Sequence, residues 1–222
     1  MRPSYHIDPC KYSLDKLKED LKYRKLIPSR KSLKIGLDDK FSLFESLGWT
    51  NIQDLRNAIK NKKLIETFSV DSGIDIDYLI LLRREVNSYF PNPVALGNFS
   101  GISPGNIKKL TDLGIKNSKH LFEKCINKKN IHLLVRESGI PFKTLAELVG
   151  LSDLVRAYGV GPAFARLLFD AGIHSISDLQ TNTAEQIIIL YEEQTGKKAD
   201  FSESDIQFSL DIIRVLDFDK TG

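Results

Sequence analysis

Tyr158-Gly-Val-Gly-Pro-Ala-Phe-Ala-Arg-Leu-Leu-Phe-Asp-Ala-Gly172-Ile173 is the stretch whose reading decides the fold of this 222-residue chain. Gly159 and Gly161 bracket one apolar residue, Val160. Before them come Leu151, Leu154, Val155 and Tyr158, and after them Phe164, Leu167, Leu168 and Ala171. Both sets follow the i, i+3, i+4, i+7 spacing of one helix face, so the glycines mark a very tight turn between two helices. Such a turn brings backbone amides, not catalytic side chains, close to a neighbouring molecule. The expectation is a binding module and not an enzyme.

The same pattern returns upstream. Gly48, Gly114 and Gly172 each close a helical stripe and are followed by a large apolar residue: Trp49, Ile115 and Ile173. Gly73, Gly139 and Gly196 follow them by 25, 25 and 24 residues. A glycine just past a helix takes the left-handed conformation cheaply, and the next apolar residue folds back on the last turn. Six such stops predict three similar units, each of about five short helices. Apolar spacing is helical throughout, and strand-like alternation does not compete, so the fold class is all-α. Helix starts are predicted at Ser13, at Thr50-Asn-Ile-Gln53 and Thr183-Ala-Glu-Gln186 as capping boxes, at Ser175 to Asp178 as a variant, and with Pro141 at a first helical position.

The predicted organisation is an N-terminal leader and helix over residues 1–31, unit one over 32–90, unit two over 91–150, and unit three over 151–222 with an acidic tail. Tyr89-Phe-Pro-Asn-Pro-Val94 marks the first boundary, because two prolines in three residues cannot continue a helix. Between Leu145 and Leu154 only Gly150 and Ser152 interrupt the apolar pattern, so units two and three read as one compact domain.

The net charge of +3 is mild, but it is unevenly spread. Residues 11–34 carry nine bases against three acids, residues 106–136 eight against two, and residues 185–222 nine acids against four bases. A polyanion would favour the earlier units. Cys10 and Cys125 lie far apart and read as free thiols. The start of the chain lacks the pattern of a secretory signal, and apolar runs such as Ile187-Ile-Ile-Leu190 are far too short to span a bilayer, so a cytoplasmic location without membrane contact is the expectation. The four histidines show no paired spacing on one helix and the cysteines no C-x-x-C arrangement; neither a metal nor another cofactor is expected. Asp38-Asp39 is the one acid pair with a nuclease-like look, but adjacent acids before Phe41 also suit a helix N-terminus. Trp49, Tyr158 and Phe164 have the chemistry to stack on bases, with burial as the competing fate.

Gly159-Val-Gly-Pro-Ala-Phe-Ala165, with Leu154 before it and Leu168 and Gly172-Ile173 after it, resembles a helix-hairpin-helix motif. The resemblance implies tandem helix-hairpin-helix (SAM-like) units whose turn amides hold a DNA phosphate without reading bases. Residue by residue it implies contacts from Gly159, Val160, Gly161 and Ala163, with Arg166 nearby. Family members that bind DNA often carry Lys or Arg just after the turn, where this chain has Ala163 and Phe164. Unit two has Gly101-Ile102-Ser103-Pro-Gly105, with serine in place of the second turn glycine, and follows it with Lys108 and Lys109. With Lys116, Lys119, Lys124, Lys128 and Lys129 behind them, these make unit two the preferred contact. Unit one has Ile35-Gly-Leu-Asp-Asp39, whose acids repel phosphate, and reads as structural. Residues 26–190 further resemble an uncharacterised bacterial family of repeated helix-hairpin-helix-like units, a domain of unknown function, through Leu26-Ile-Pro-Ser-Arg30, Tyr78 to Asn87, Phe90 to Val94 and Leu151 to Arg156.

Two function classes follow. One is sequence-independent binding of the DNA phosphate backbone. The other is a protein-interaction scaffold, within a nucleic-acid-processing assembly, whose hairpins only pack. A charge-balanced hairpin face would favour the second.

Overall fold

A computed structural model describes residues 4–216 apart from Ile27, Ile126 and the side chain of Lys128. The first residues of the leader, the Lys128 side chain and the last six residues of the acidic tail lie outside the described residues. The described chain is all-helical, and its extended pairing is limited to the isolated bridges Ser13 with Asn51 and Ala95 with Asn117. It divides into two compact bodies, one spanning Ile7–Phe90 and the other running from Pro91 onward together with residues 4–6.

The first body holds α1 (Leu14–Tyr23), a 3-10 segment (Pro28–Lys34), α2 (Leu37–Ser46), α3 (Ile52–Ala58), α4 (Lys62–Ser72) and α5 (Ile76–Ser88). The leader helix α1 is therefore part of this body. Ser13 caps it by accepting from the Lys16 amide, and its Leu14, Leu17 and Leu21 stripe is buried. The core continues through Phe41, Phe44, Leu55, Leu79, Leu82 and Val86. Within it Glu85 is fully buried and pairs with both Arg24 and Arg30.

The second body holds a 3-10 turn (Leu96–Asn98), α6 (Pro104–Asp112), α7 (Ser118–Lys124), α8 (Lys128–Ser138), α9 (Phe142–Leu154), α10 (Pro162–Asp170), α11 (Ile176–Gln180), α12 (Ala184–Thr195) and α13 (Glu203–Ile213). The α9 helix is its spine, packing against α7, α8, α10 and α11. Leu145, Leu148, Leu151 and Leu154 are all fully buried, which is why the apolar pattern runs on there. Gly150 is the point of closest approach: a Cβ on it would lie 2.6 Å from the His174 carbonyl oxygen and 2.6 Å from the Phe169 ring. Residues 4–6 complete this body. Tyr5 is buried with its hydroxyl 2.6 Å from Ser118 Oγ, while Arg156 donates to the carbonyls of Tyr5 and Ser4 at 3.1 and 3.0 Å.

Among the described residues the glycines with positive φ recur in the same order three times: Gly36, Gly48, Gly73; Gly101, Gly114, Gly139; Gly159, Gly172, Gly196. The first of each set precedes a helix and the other two end one. The amides of Trp49, Ile115 and Ile173 fold back to Phe44, Leu110 and Leu168 at 3.2, 2.9 and 2.9 Å, as the rule for a left-handed helix stop requires. Two predicted starts shift by one residue. The capping box at α3 uses Asn51 and Asp54 instead of Thr50 and Gln53, because the carboxylate of Asp54 accepts from the Asn51 and Thr50 amides. Pro141 is the N-cap of α9, with Phe142 its first helical residue. The Thr183 to Gln186 box forms as read.

Candidate nucleic-acid interface

Two helix N-termini carry most of the predicted contacts. Helix α10 begins at Pro162 with Gly161 as its N-cap in extended backbone, and no side chain closes that end. Gly159 turns the chain into it at φ +76. Val160 is buried between the two glycines and its amide donates to Ala157 O at 3.2 Å, which pins the turn. Gly159, Gly161 and Ala163 are exposed. The first amides of a helix have no acceptor within it, and the positive end of the helix dipole adds to their pull on an anion. Pro162 has no N–H, so the outward amides of the first turn are those of Ala163 and Phe164.

The start of α6 has the same shape and different chemistry. Gly101 sits at φ +85, and Ser103 stands as N-cap, where α10 has Gly161. The Ser103 hydroxyl accepts from the Asn106 amide at 3.4 Å, so one of the amides an anion would use already has a partner. Ile102 is half-buried, and Gly105 is exposed with open space around it. The α2 turn is shorter still, because Gly36, at φ +57, is itself the N-cap. Asp38 in its first turn pairs with Lys18 at 3.1 Å and Lys22 at 3.6 Å. The hydrogen bond from Lys18, followed by the charge of Lys22, holds its carboxyl below the usual carboxylate range. Among the described residues no three His, Cys, Asp or Glu side chains gather as a metal site.

Arg166 does not face its own turn. Its Nη2 donates to Ser100 O at 2.7 Å and to Glu147 Oε1 at 2.6 Å, and its Nη1 to Asp170 Oδ1 at 3.2 Å. A Cβ on Gly101 would be 3.5 Å from that Nη2. Arg166 thus ties the start of α10, through α9, to the Gly101 turn, with two carboxylates balancing its charge. Residues 66 apart in sequence are joined.

Three of the lysines of residues 108–129 meet acids. Lys108 pairs with Asp112 at 2.9 Å, Lys119 with Glu123 at 3.8 Å and Lys124 with Glu137 at 3.0 Å. Lys109 reaches the Gly139 carbonyl at 3.4 Å, at the C-terminal end of α8. Lys116 and Lys129 are exposed. The exposed pairs remain open to solvent, so each costs little to break.

The three aromatic candidates are all half-buried, each against other rings. Trp49 is half-buried between Phe44 and Phe68, 5.2 and 5.1 Å away. Tyr158 meets Phe208 edge-on, and Phe164 leans on Tyr191 and Phe201. His174 has a local role: its amide donates to Asp178, and its ring lies 4.4 Å from Phe169. Sequence reasoning missed Glu147 and Asp153, the two acids inside the apolar run of α9. Each binds an arginine, Arg166 and Arg156 respectively. Charges breaking an otherwise apolar helix stripe were the available signal.

Residues 100–200 match the model of a family described as a domain of unknown function (DUF4332). That part of the chain, from the Gly101 turn to just beyond α12, is therefore similar to an uncharacterised family. The match lies within the broader stretch of resemblance apart from its last residues, and it includes both turns just described. No curated protein and no solved structure matches the chain. Among the described residues no helix is long and apolar enough to cross a membrane.

Proposed function

We propose that the chain is a non-catalytic protein built on three helix-hairpin-helix units that holds a DNA phosphate backbone without reading base sequence. The observation that carries this reading is the start of α10: a positive-φ glycine, an N-cap with no side chain, and first-turn amides that have no acceptor within the helix. Hairpin three contributes these amides, hairpin two contributes the exposed Lys108 and Lys109, and Arg166 holds the two turns together. Backbone amides and lysines attract phosphate but carry no base code.

A scaffold role is the second reading, favoured by the pairing of Lys108, Lys119 and Lys124 with acids. Fluorescence anisotropy with duplex and single-stranded DNA at several salt concentrations separates the two. Binding should weaken as salt rises, and again in Lys108→Glu/Lys109→Glu. Gly161→Asp is the sharper variant, because an aspartate N-cap suits the helix while filling the anion site with a carboxylate. It should fold as well as the parent and lose DNA. Undiminished binding by Gly161→Asp, or no binding at low salt, removes the DNA reading and leaves the scaffold.

A further inference from the structure

The first body contains a cavity of about 270 Å³ between the facing polar sides of α3 and α5. Its ionisable lining is Arg56, Lys60 and Arg83: three cations and no acid. On one wall Gln53, Arg56, Asn57 and Lys60 follow helical spacing. On the other Arg83 and Asn87 stand one turn apart on α5. Among the described residues no carboxylate lies within ion-pairing distance of any of the three cations. Arg56 and Arg83 are nonetheless only partly exposed.

That arrangement runs against the habit of the same body, where Arg24 and Arg30 share the buried Glu85. Nearby acids are committed elsewhere: Glu85 to those arginines, and Asp54 to capping α3. A guanidinium held out of water is ordinarily paired, since desolvating a charge without compensation is costly. Burial lowers Arg56 below the ordinary arginine range. The C-terminal end of α3 offers a partial negative charge that accounts for Arg56 and Lys60. It does not account for Arg83, which sits in the middle of α5.

The remaining lining is mixed, with Ile59 and Val86 forming its apolar floor and three amide side chains beside the cations. The Gln53 amide donates to Asn57 Oδ1 at 2.7 Å, which turns the Asn57 side-chain nitrogen into a free donor. Asn87 adds another amide beside Arg83. The Phe90 ring centroid lies 4.0 Å from the Arg56 guanidinium carbon, a contact that holds the head group in place and leaves its N–H edge to meet an oxyanion. Three cations exceed what a single carboxylate needs and match a phosphate group. The volume falls just below the range of about 300–1,000 Å³ usual for drug-sized ligands, so the cavity accepts a phosphate with a small remainder.

We infer that the cavity between α3 and α5 is a phosphate-binding site, with Arg56 and Arg83 as its main ligands and Lys60 at its rim. It is separate from the hairpin turns and does not depend on their reading. The phosphate has two possible sources, a free phosphorylated small molecule or the terminal phosphate of a nucleic acid strand.

The test is calorimetric titration of the full chain with inorganic pyrophosphate. One saturable site is expected, weakened at least about tenfold by Arg83→Gln and by Arg56→Gln, each of which removes a charged hydrogen-bonding partner. Lys60→Gln, at an exposed position, should weaken it less and leave folding untouched. It serves as the readout if either arginine variant misfolds. Lys108→Glu/Lys109→Glu should leave pyrophosphate binding unchanged, which separates this site from the proposed DNA face. Competition by a 5′-phosphorylated tetranucleotide, and none by its 5′-hydroxyl form, identifies a strand end as the source; competition by neither identifies a free compound. Absence of saturable binding, or binding that persists through the Arg56, Arg83 and Lys60 changes, overturns the inference.

Discussion

Replacing Gly150 with alanine should destabilise the second body, although the same change inside most helices would help. Gly150 lies within α9, where alanine gains about 0.8–1.0 kcal/mol in helix propensity over glycine. Against this, the new methyl would sit 2.6 Å from both the His174 carbonyl oxygen and the Phe169 ring, where ordinary contact begins at 3.4 Å. Turning the ring away would disturb its contact with the His174 ring, 4.4 Å away. The carbonyl is backbone, held between Ile173, whose amide bonds to Leu168, and the His174 amide bonded to Asp178. Forcing a methyl into such a site costs about 1–3 kcal/mol. The net expectation is a loss of up to about 2 kcal/mol. With urea slopes of about 1–3 kcal/mol per molar, the midpoint followed by far-UV circular dichroism should fall, by up to about 0.7–2 M at the upper end of that loss. Gly105→Ala is the control. It also lies in a helix but meets nothing within 4 Å, and it should gain about 0.4–1 kcal/mol by restricting the unfolded chain. A midpoint for Gly150→Ala at or above the parent's would refute the close approach of α9 to the α10–α11 link.

Three further outcomes follow from the same contacts. Glu85→Ala removes the buried carboxylate that Arg24 and Arg30 share and should cost about 3–5 kcal/mol, read from urea unfolding by the fluorescence of Trp49, the chain's one tryptophan and a residue of the same body. Thiol titration of the native protein at pH 8 should count one reactive cysteine, the exposed Cys10, and two in denaturant; burial pushes the Cys125 thiol up to about 11, so modification of both in the native state would contradict its packing. Asp38 has its folded pKa below its unfolded one, so its contribution is present above the ordinary carboxylate value of 3.8 and disappears as pH falls through the folded value. The stability deficit of Asp38→Asn should therefore be measurable at neutral pH and vanish in acid; a deficit independent of pH would mean that the carboxylate pairing is not its cause.

Much of the helical layout was legible because its signals are short-range. A left-handed glycine stop, an asparagine or serine cap and an i, i+3, i+4 stripe each depend on residues within about two turns, so Gly114, Gly139 and Gly172 announced their helix ends directly. Register at the starts was less certain for the same reason. Thr50 and Asn51 are both good caps, and the choice between them rests on where the Asp54 carboxylate reaches. The candidate interface was legible in its backbone and not in its charges. Gly159, Gly161, Gly101 and Ser103 shape the two turns as their spacing implied, but a lysine count cannot reveal that Asp112, Glu123 and Glu137 come to meet Lys108, Lys119 and Lys124.

By itself, then, the sequence determined an all-helical chain with glycine-ended helices and a tight amide-bearing turn at Gly159. Backbone conformation and helix periodicity are set by neighbours along the chain. Only the tertiary structure decided where the long side chains go. Arg166 leaves its own turn for Ser100 because α9 brings Glu147 between them, and Arg56 and Arg83 line one cavity because α3 packs on α5. Those pairings are fixed by packing between distant segments, and no local pattern encodes them.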